Sequence, residues 1–119
     1  MNITVDVIDW TNGRPASGIA VRLERHVGGI WEEPVKRYTD ENGWLTAWQS
    51  ELATATGLYR LEFNTDEYYA TLGIIPFNPR VAVTFRIREP FEDYHLPVLV
   101  TPYGCLAYRT TSPRKPAQK

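Results

Sequence analysis

The chain has 119 residues, a formal net charge of −1, one cysteine and two histidines. This length fits one domain, and the interspersed charges offer no basic surface to a nucleic-acid backbone. A single cysteine excludes an intrachain disulfide, and no segment is long and apolar enough to span a membrane. We therefore expect a cytoplasmic protein that binds neither nucleic acid nor membrane.

Alternating apolar and polar residues predict short strands along most of the chain. Ile3, Val5 and Val7 define the first strand, which ends at Asp9. Pro34 falls inside the third predicted strand and indicates an edge position or a bulge there. The predicted strands cover residues 3–9, 19–24, 31–38, 44–48, 58–63 and 81–87, followed by two strands that flank the turn at 102–104.

One short helix is predicted at residues 65–72, between the fifth and sixth strands. Thr65 resembles an N-cap, acidic residues occupy the first turn, and Gly73 follows as a stop signal. Eight strands and one helix predict an all-β, two-sheet sandwich over residues 1–111. The basic tail at 112–119 has nothing to bury, so we expect it to be mobile.

The C-terminal hairpin is the most informative segment. It reads Asp-Tyr-His-Leu-Pro-Val-Leu-Val-Thr-Pro-Tyr-Gly-Cys-Leu-Ala-Tyr-Arg-Thr-Thr over residues 93–111. This stretch resembles the signature of the transthyretin-like family of 5-hydroxyisourate hydrolases, His-Tyr-His-x-Pro followed by Ser-Pro-Tyr-Gly-Tyr-Ser-Thr-Tyr-Arg-Gly-Ser. The order of the predicted elements and the Leu-Gly-Ile-Ile-Pro-Phe stretch at 72–77 extend the resemblance over about residues 3–111.

The resemblance implies an assembly as well as a fold. In that family, eight-stranded protomers pair edge to edge, and two dimers stack into a homotetramer around a central channel. The hydrolases bind 5-hydroxyisourate in the channel and open it by attack of water on a ring carbonyl. Transthyretin keeps the architecture and binds small hydrophobic ligands without hydrolysing them.

Several site positions depart from the family pattern, and the final Tyr-Arg-Gly-Ser becomes Tyr-Arg-Thr-Thr at residues 108–111. Asp6 stands where the hydrolases have a histidine in the first strand, and Trp44 stands where they have an arginine. Asp93 replaces the first histidine of His-Tyr-His, while the second is retained as His95. The implied catalytic residues are His95, Asp6, Asp93 and Arg109, and the implied substrate-binding residues are Trp44, Tyr108 and Thr111.

The implied chemistry needs a base for water, a donor for the oxyanion and an acid for the leaving nitrogen. His95 fits the acid–base role, and Asp6 or Asp93 would fix its tautomer. Asp93 and His95 are two residues apart, so a regular strand would point both to one face. Arg109 would polarise the carbonyl. Trp44 would stack on a flat ligand less polar than 5-hydroxyisourate, for example an N-methylated relative.

Each of these residues also has a structural interpretation. His95 fits a buried structural histidine, and Trp44 fits a core or interface ring. Asp6 fits a solvent-facing position, Asp93 fits a loop carboxylate, and Cys105 fits a small buried hydrophobe. Two histidines without metal-ligand spacing predict no metal centre, and the resemblance implies no cofactor.

We therefore expect a divergent hydrolase of the hydroxyisourate type that acts on a cyclic ureide or an oxidised purine. Its substrate would lie in a channel between subunits of a homotetramer. The alternatives are a non-catalytic binder of a small molecule and an enzyme with another ring-opening activity.

Overall fold

Two five-stranded sheets pack face to face in the computed structural model, which describes residues 3–46, 56–89 and 92–110. The all-β, two-sheet prediction is confirmed. The strands are β1 (Ile3–Asp9), β2 (Arg14–Pro15), β3 (Ala20–Val27), β4 (Ile30–Trp31), β5 (Val35–Tyr38), β6 (Trp44–Leu45), β7 (Gly57–Phe63), β8 (Val81–Ile87), β9 (Tyr94–Thr101) and β10 (Gly104–Ala107).

Sheet I contains β10, β9, β1 and β2 in that order, with β6 also paired to β1. Strand β1 runs parallel to β9 and antiparallel to both β2 and β6. Sheet II contains β4, β3, β7 and β8, with β5 also paired to β3, and all its pairings are antiparallel. Strands β1 and β10, the first and last described strands, thus both lie in sheet I. Strand β1 is near the centre of the sheet, and β10 is at its edge.

The core lies between the two sheets and follows the period-two alternation of the sequence. From sheet I, β1 buries Ile3, Val5 and Val7 on its inner face, while sheet II supplies Tyr59, Leu61 and Phe63 of β7. Because successive strand residues face opposite sides, the remaining residues of β1 face away from the core.

One helix, α1 (Thr65–Ala70), follows β7. The cap is Asn64, one residue before the predicted Thr65, since the Asn64 side chain accepts a hydrogen bond from the Glu67 amide at 3.0 Å. The helix ends at Ala70, two residues earlier than predicted. Gly73 follows in a turn with a positive φ of 72°.

The predicted third strand is divided into β4 and β5, with Pro34 between them, as expected of a residue that cannot donate to a ladder. Strand β2 occupies part of the predicted turn at 11–15. The prediction that Cys105 is buried was wrong. Its residue is exposed on the edge strand β10, although partial desolvation raises the pKa of its thiol.

Thr111 and the tail at 112–119 lie outside the described residues, as does the end of the predicted strand 44–48. Among the residues that are described, no helix is long and apolar enough to cross a membrane.

Candidate functional site

Four of the predicted site residues, Asp6, Trp44, His95 and Tyr108, lie on the outer face of sheet I, the side turned away from the core. Strand register places these residues in three rows that cross the sheet, because paired residues project to the same face. The antiparallel register of β9 and β10 continues beyond β10 to the bridge between His95 and Thr110. Tyr108 therefore lies opposite Pro97. The rows are Thr4–His95–Thr110, Trp44–Asp6–Pro97–Tyr108 and Ile8–Leu99–Leu106.

His95, Asp6 and Trp44 form the centre of this face. The imidazole and the indole stack with their ring centroids 5.1 Å apart and their planes 27° from parallel. His95 and Asp6 are each 1% exposed, and Trp44 is 8% exposed. A carboxylate, an imidazole and an indole are therefore gathered in a nearly dry environment, where electrostatic interactions are strong.

The turn at residues 40–43 places the indole. The Asp40 carboxylate accepts hydrogen bonds from the amides of Asn42 at 2.8 Å and Trp44 at 2.9 Å. Gly43 adopts a positive φ of 78°, and its carbonyl accepts the amide of Val7 at 2.8 Å. Since Trp44 pairs with Asp6 and stacks on His95, its ring reaches across β1 towards β9.

The structural interpretation of Asp6 as a solvent-facing residue was wrong, because its side chain is buried on the outer face. Trp44 is a buried ring, as one interpretation held, and its stacking partner is His95 itself. The indole is therefore part of the buried His95 assembly and not a separate, exposed platform.

The described structure places Arg109 away from this centre. The Arg109 guanidinium donates to Glu92 Oε1 at 3.0 Å and lies over the ring of Tyr94 at 4.2 Å. Tyr94 pairs with Ile3 and is buried, so this contact lies on the opposite side of the segment from His95. Asp93 is exposed and immediately precedes β9, and its alignment with His95 stays a prediction.

Tyr108 shares the outer face with His95, as its register indicates, and is 52% exposed. The predicted Thr111 lies outside the described residues. Thr110, which the sequence analysis missed, is the cross-strand neighbour of His95, and its amide donates to the His95 carbonyl at 2.9 Å. Period-two alternation from Tyr108 would have identified Thr110, since it places residues 108 and 110 on one face and Arg109 on the other.

The charge of this face follows from the rows. Their ten positions contain one carboxylate, Asp6, one imidazole, His95, and no lysine or arginine. Ile8, Leu99 and Leu106 make the far end of the face apolar. Within the described part of the chain, no group of three His, Cys, Asp or Glu side chains is arranged to hold a metal ion.

Comparisons with known proteins agree on the family and the fold. A family model described as HIUase/Transthyretin family matches residues 3–110. The chain is 35% identical to the 5-hydroxyisourate hydrolase of Salmonella typhimurium over 107 residues, which covers 90% of this chain and 79% of that protein. It is 31% identical to the 5-hydroxyisourate hydrolase of Mus musculus over 109 residues, covering 90% of this chain and 92% of the mouse protein.

Among solved structures, the crystal structure of sea bream transthyretin in complex with thyroxine superposes with a TM-score of 0.85. The two sequences are 26% identical, and the match covers 95% of this chain and 98% of the transthyretin chain.

Proposed function

The chain belongs to the HIUase/Transthyretin family, and from this premise we propose that it hydrolyses a cyclic ureide of the 5-hydroxyisourate type in the breakdown of oxidised purines. The observation that carries the proposal is the buried assembly of His95, Asp6 and Trp44 on the outer face of sheet I. An imidazole held in a dry site beside a carboxylate is suited to proton transfer.

In the proposed reaction His95 takes a proton from water as the water oxygen bonds to a ring carbonyl carbon. The carbonyl oxygen gains negative charge, and the ring C–N bond then breaks. The leaving nitrogen takes the proton back from the imidazolium, so that His95 ends the cycle neutral. Thr4 pairs with His95, and Asp6 lies two residues further along β1. The Asp6 carboxylate would stabilise the imidazolium by its charge.

Trp44 bears on the choice of substrate. An indole beside the catalytic imidazole supplies an apolar surface where a guanidinium would supply charge and hydrogen bonds. The rows around it contain no arginine or lysine. Both features favour a less polar ring than 5-hydroxyisourate, for example an N-methylated hydroxyisourate.

We also propose a homotetramer, a dimer of dimers, in which outer faces of sheet I enclose the substrate channel. Among the described strands, β8 and β10 lie at the ends of their sheets, where backbone groups are open to edge-to-edge pairing. The exposed Leu106 and Tyr108 on the outer face supply apolar surface for contact between dimers. We propose a cytoplasmic location, where an unpaired exposed cysteine stays reduced.

The test is the rate of decay of freshly generated 5-hydroxyisourate and of its N-methylated forms, followed by absorbance with and without the protein. We expect acceleration of at least one of them, with the methylated form preferred. His95→Ala should abolish the acceleration, and His26→Ala is the matched control, because His26 lies on β3 in sheet II.

The second candidate is a non-catalytic binder, which the structural match to a transthyretin bound to thyroxine favours. Binding of methylated hydroxyisourates without any acceleration of their decay would move the assignment to this candidate. If the protein neither binds any of these ring compounds nor accelerates their decay, the proposed hydrolase activity is contradicted.

A further inference from the structure

We infer that Thr110 supplies a hydroxyl to the site beside His95, and that Arg109 is the positioning residue that holds Thr110 there. The inference rests on the proposed function, since it assigns a donor to the same carbonyl that His95-activated water attacks. It gives Arg109 a different task from the direct carbonyl contact that the sequence predicted.

The imidazole has a threonine on each side within its row. Thr4 lies next to it on β1, and Thr110 lies next to it on the segment that follows β10. Trp44 reaches over β1 to stack on His95, so the indole covers the Thr4 side. Thr4 is buried and Thr110 is half-buried, so of the two threonines Thr110 is the one with surface that a ligand could contact.

Backbone hydrogen bonds fix the position of Thr110. The amide of Tyr108 donates to the Pro97 carbonyl at 3.2 Å, and the amide of Thr110 donates to the His95 carbonyl at 2.9 Å. These bonds continue the antiparallel register of β10, so Thr110 projects to the same face as the imidazole.

Arg109 fastens the same segment from the other side. Between the two outward residues, its guanidinium pairs with Glu92 at 3.0 Å and lies over the Tyr94 ring at 4.2 Å. Tyr94 is itself anchored, since its hydroxyl accepts the amides of Arg88 at 3.2 Å and Glu89 at 2.9 Å. An exposed ion pair contributes little stability by itself, so we assign this contact to orientation of the segment.

The hydroxyl would act as a hydrogen-bond donor and would neither gain nor lose a proton. As the water oxygen bonds to the carbonyl carbon, negative charge collects on the carbonyl oxygen, and a hydroxyl within reach stabilises it.

The first test compares three variants on the substrate that the wild-type protein turns over best. We expect Thr110→Val, which keeps the shape and removes the hydroxyl, to lower kcat by about 100-fold. Thr110→Ser should retain kcat within a few-fold, because it keeps the donor. Thr4→Val is the matched control in the same row and should leave kcat within a few-fold.

The second test is a double-mutant cycle of Arg109→Met with Thr110→Val. If Arg109 acts through Thr110, Arg109→Met lowers kcat in the wild-type background and has little further effect in the Thr110→Val background. Independent, additive losses would overturn the positioning role, and a normal kcat for Thr110→Val would overturn the donor role.

Binding of uric acid, a stable flat ring of the same class, separates this inference from the proposed function. Suppose that the protein turns over none of the substrates, but that its affinity for urate falls in Thr110→Val and not in Thr4→Val. Thr110 then lies in the ligand site, and the proposed activity is absent. Unchanged urate affinity in a protein without turnover would contradict both.

Discussion

Asp9 is the polar junction between sheet I and the helix. It is 0% exposed at the end of β1, and its carboxylate accepts the hydroxyls of Tyr68 at 2.9 Å and Tyr69 at 3.1 Å. The amide of Thr11 donates to the same carboxylate at 2.9 Å. Three donors satisfy one buried charge, which is the condition under which a buried carboxylate is tolerated.

Removing this carboxylate should be costly because its partner Tyr69 is also buried and its partner Tyr68 is half-buried. We expect Asp9→Ala to lower the free energy of unfolding by about 3 kcal/mol, since two hydroxyls and one amide lose their acceptor. Asp9→Asn, which keeps an acceptor oxygen, should cost less. Urea denaturation measures both, and equal losses would mean that the cost arises from volume and not from hydrogen bonding.

The same junction predicts a loss of stability at alkaline pH. Burial, and then the nearby Asp9 charge, raise the pKa of Tyr69 to about 12, and the pKa of Tyr68 is raised for the same reasons. A tyrosine of the unfolded chain has a pKa of about 10, so the folded state holds these protons more tightly. The stabilisation that comes from these two tyrosines is therefore fully present below about pH 10. It is lost as the pH rises towards their pKa in the folded state.

Urea denaturation curves between about pH 8 and pH 11 measure the slope of the free energy of unfolding against pH. Tyr69→Phe should flatten it, because a ring without a hydroxyl cannot ionise. The exposed Tyr103 is the control, and Tyr103→Phe should leave the slope unchanged.

Trp44 decides whether the site can carry a fixed positive charge. We expect Trp44→Arg to raise kcat/KM for unmethylated 5-hydroxyisourate by about 10-fold or more, because one good oxyanion donor is worth about 100-fold or more in kcat. Asp6 lies opposite position 44 and would offset the buried charge. Trp44→Phe, which keeps a stacking ring, should leave the preference for methylated substrate unchanged. Parallel changes on both substrates in the arginine variant would contradict this account.

At the scale of elements, the turn that precedes β6 fixes the site through one glycine. A Cβ built on Gly43 would lie 2.4 Å from the carbonyl oxygen of Val7, and the residue has a positive φ of 78°. Steric exclusion and backbone strain therefore act together at this position. Gly13 has a similar positive φ of 68° but nothing within 4 Å of its Cβ position, so only strain acts there.

These two glycines form a matched pair for a prediction. We expect Gly13→Ala to lower the free energy of unfolding by about 1 to 2 kcal/mol, and Gly43→Ala to lower it by about 3 kcal/mol or more. Gly43→Ala should also reduce turnover at a temperature where it is folded, because Trp44 would shift from His95. Similar losses of stability for both variants would show that the close approach to Val7 is relieved at little cost.

The alternation of apolar residues was sufficient to predict β1, β7 and β8, since each buries one face against the other sheet. It could not predict the parallel pairing of β1 with β9, because an alternating strand fits more than one neighbour equally well. Without that register, the row that joins Thr4, His95 and Thr110 could not be derived. The resemblance predicted His95, Asp6 and Trp44 as site residues. It did not predict which side of the strand Arg109 faces.

At the scale of the whole molecule, the outer face of sheet I changes character along the strands. The row with His95 is polar and mostly buried, whereas the row of Ile8, Leu99 and Leu106 is apolar and increasingly exposed towards the edge strand β10. In the proposed tetramer, the same surface of a second dimer would cover this apolar row and would also close the channel over the substrate.

This arrangement predicts that one charge at the apolar end separates the dimers and lowers activity. Leu106 is 59% exposed in the single chain, so Leu106→Glu should leave the protomer folded. In a stacked pair of dimers the new carboxylates would be buried without partners, at a cost that a contact between dimers cannot offset. We expect the variant to sediment as a dimer in analytical ultracentrifugation, and to show a higher KM because its channel is open on one side.

Ile30→Glu is the matched control, because Ile30 is 69% exposed but lies on β4 at the edge of sheet II. It should sediment like the wild-type protein and keep the same KM. If Leu106→Glu also sediments as a tetramer, the dimers do not meet through the outer face of sheet I. In that case a second dimer would not cover the apolar row, and the selectivity for substrate would depend on residues of one protomer, among them Trp44 and Tyr108.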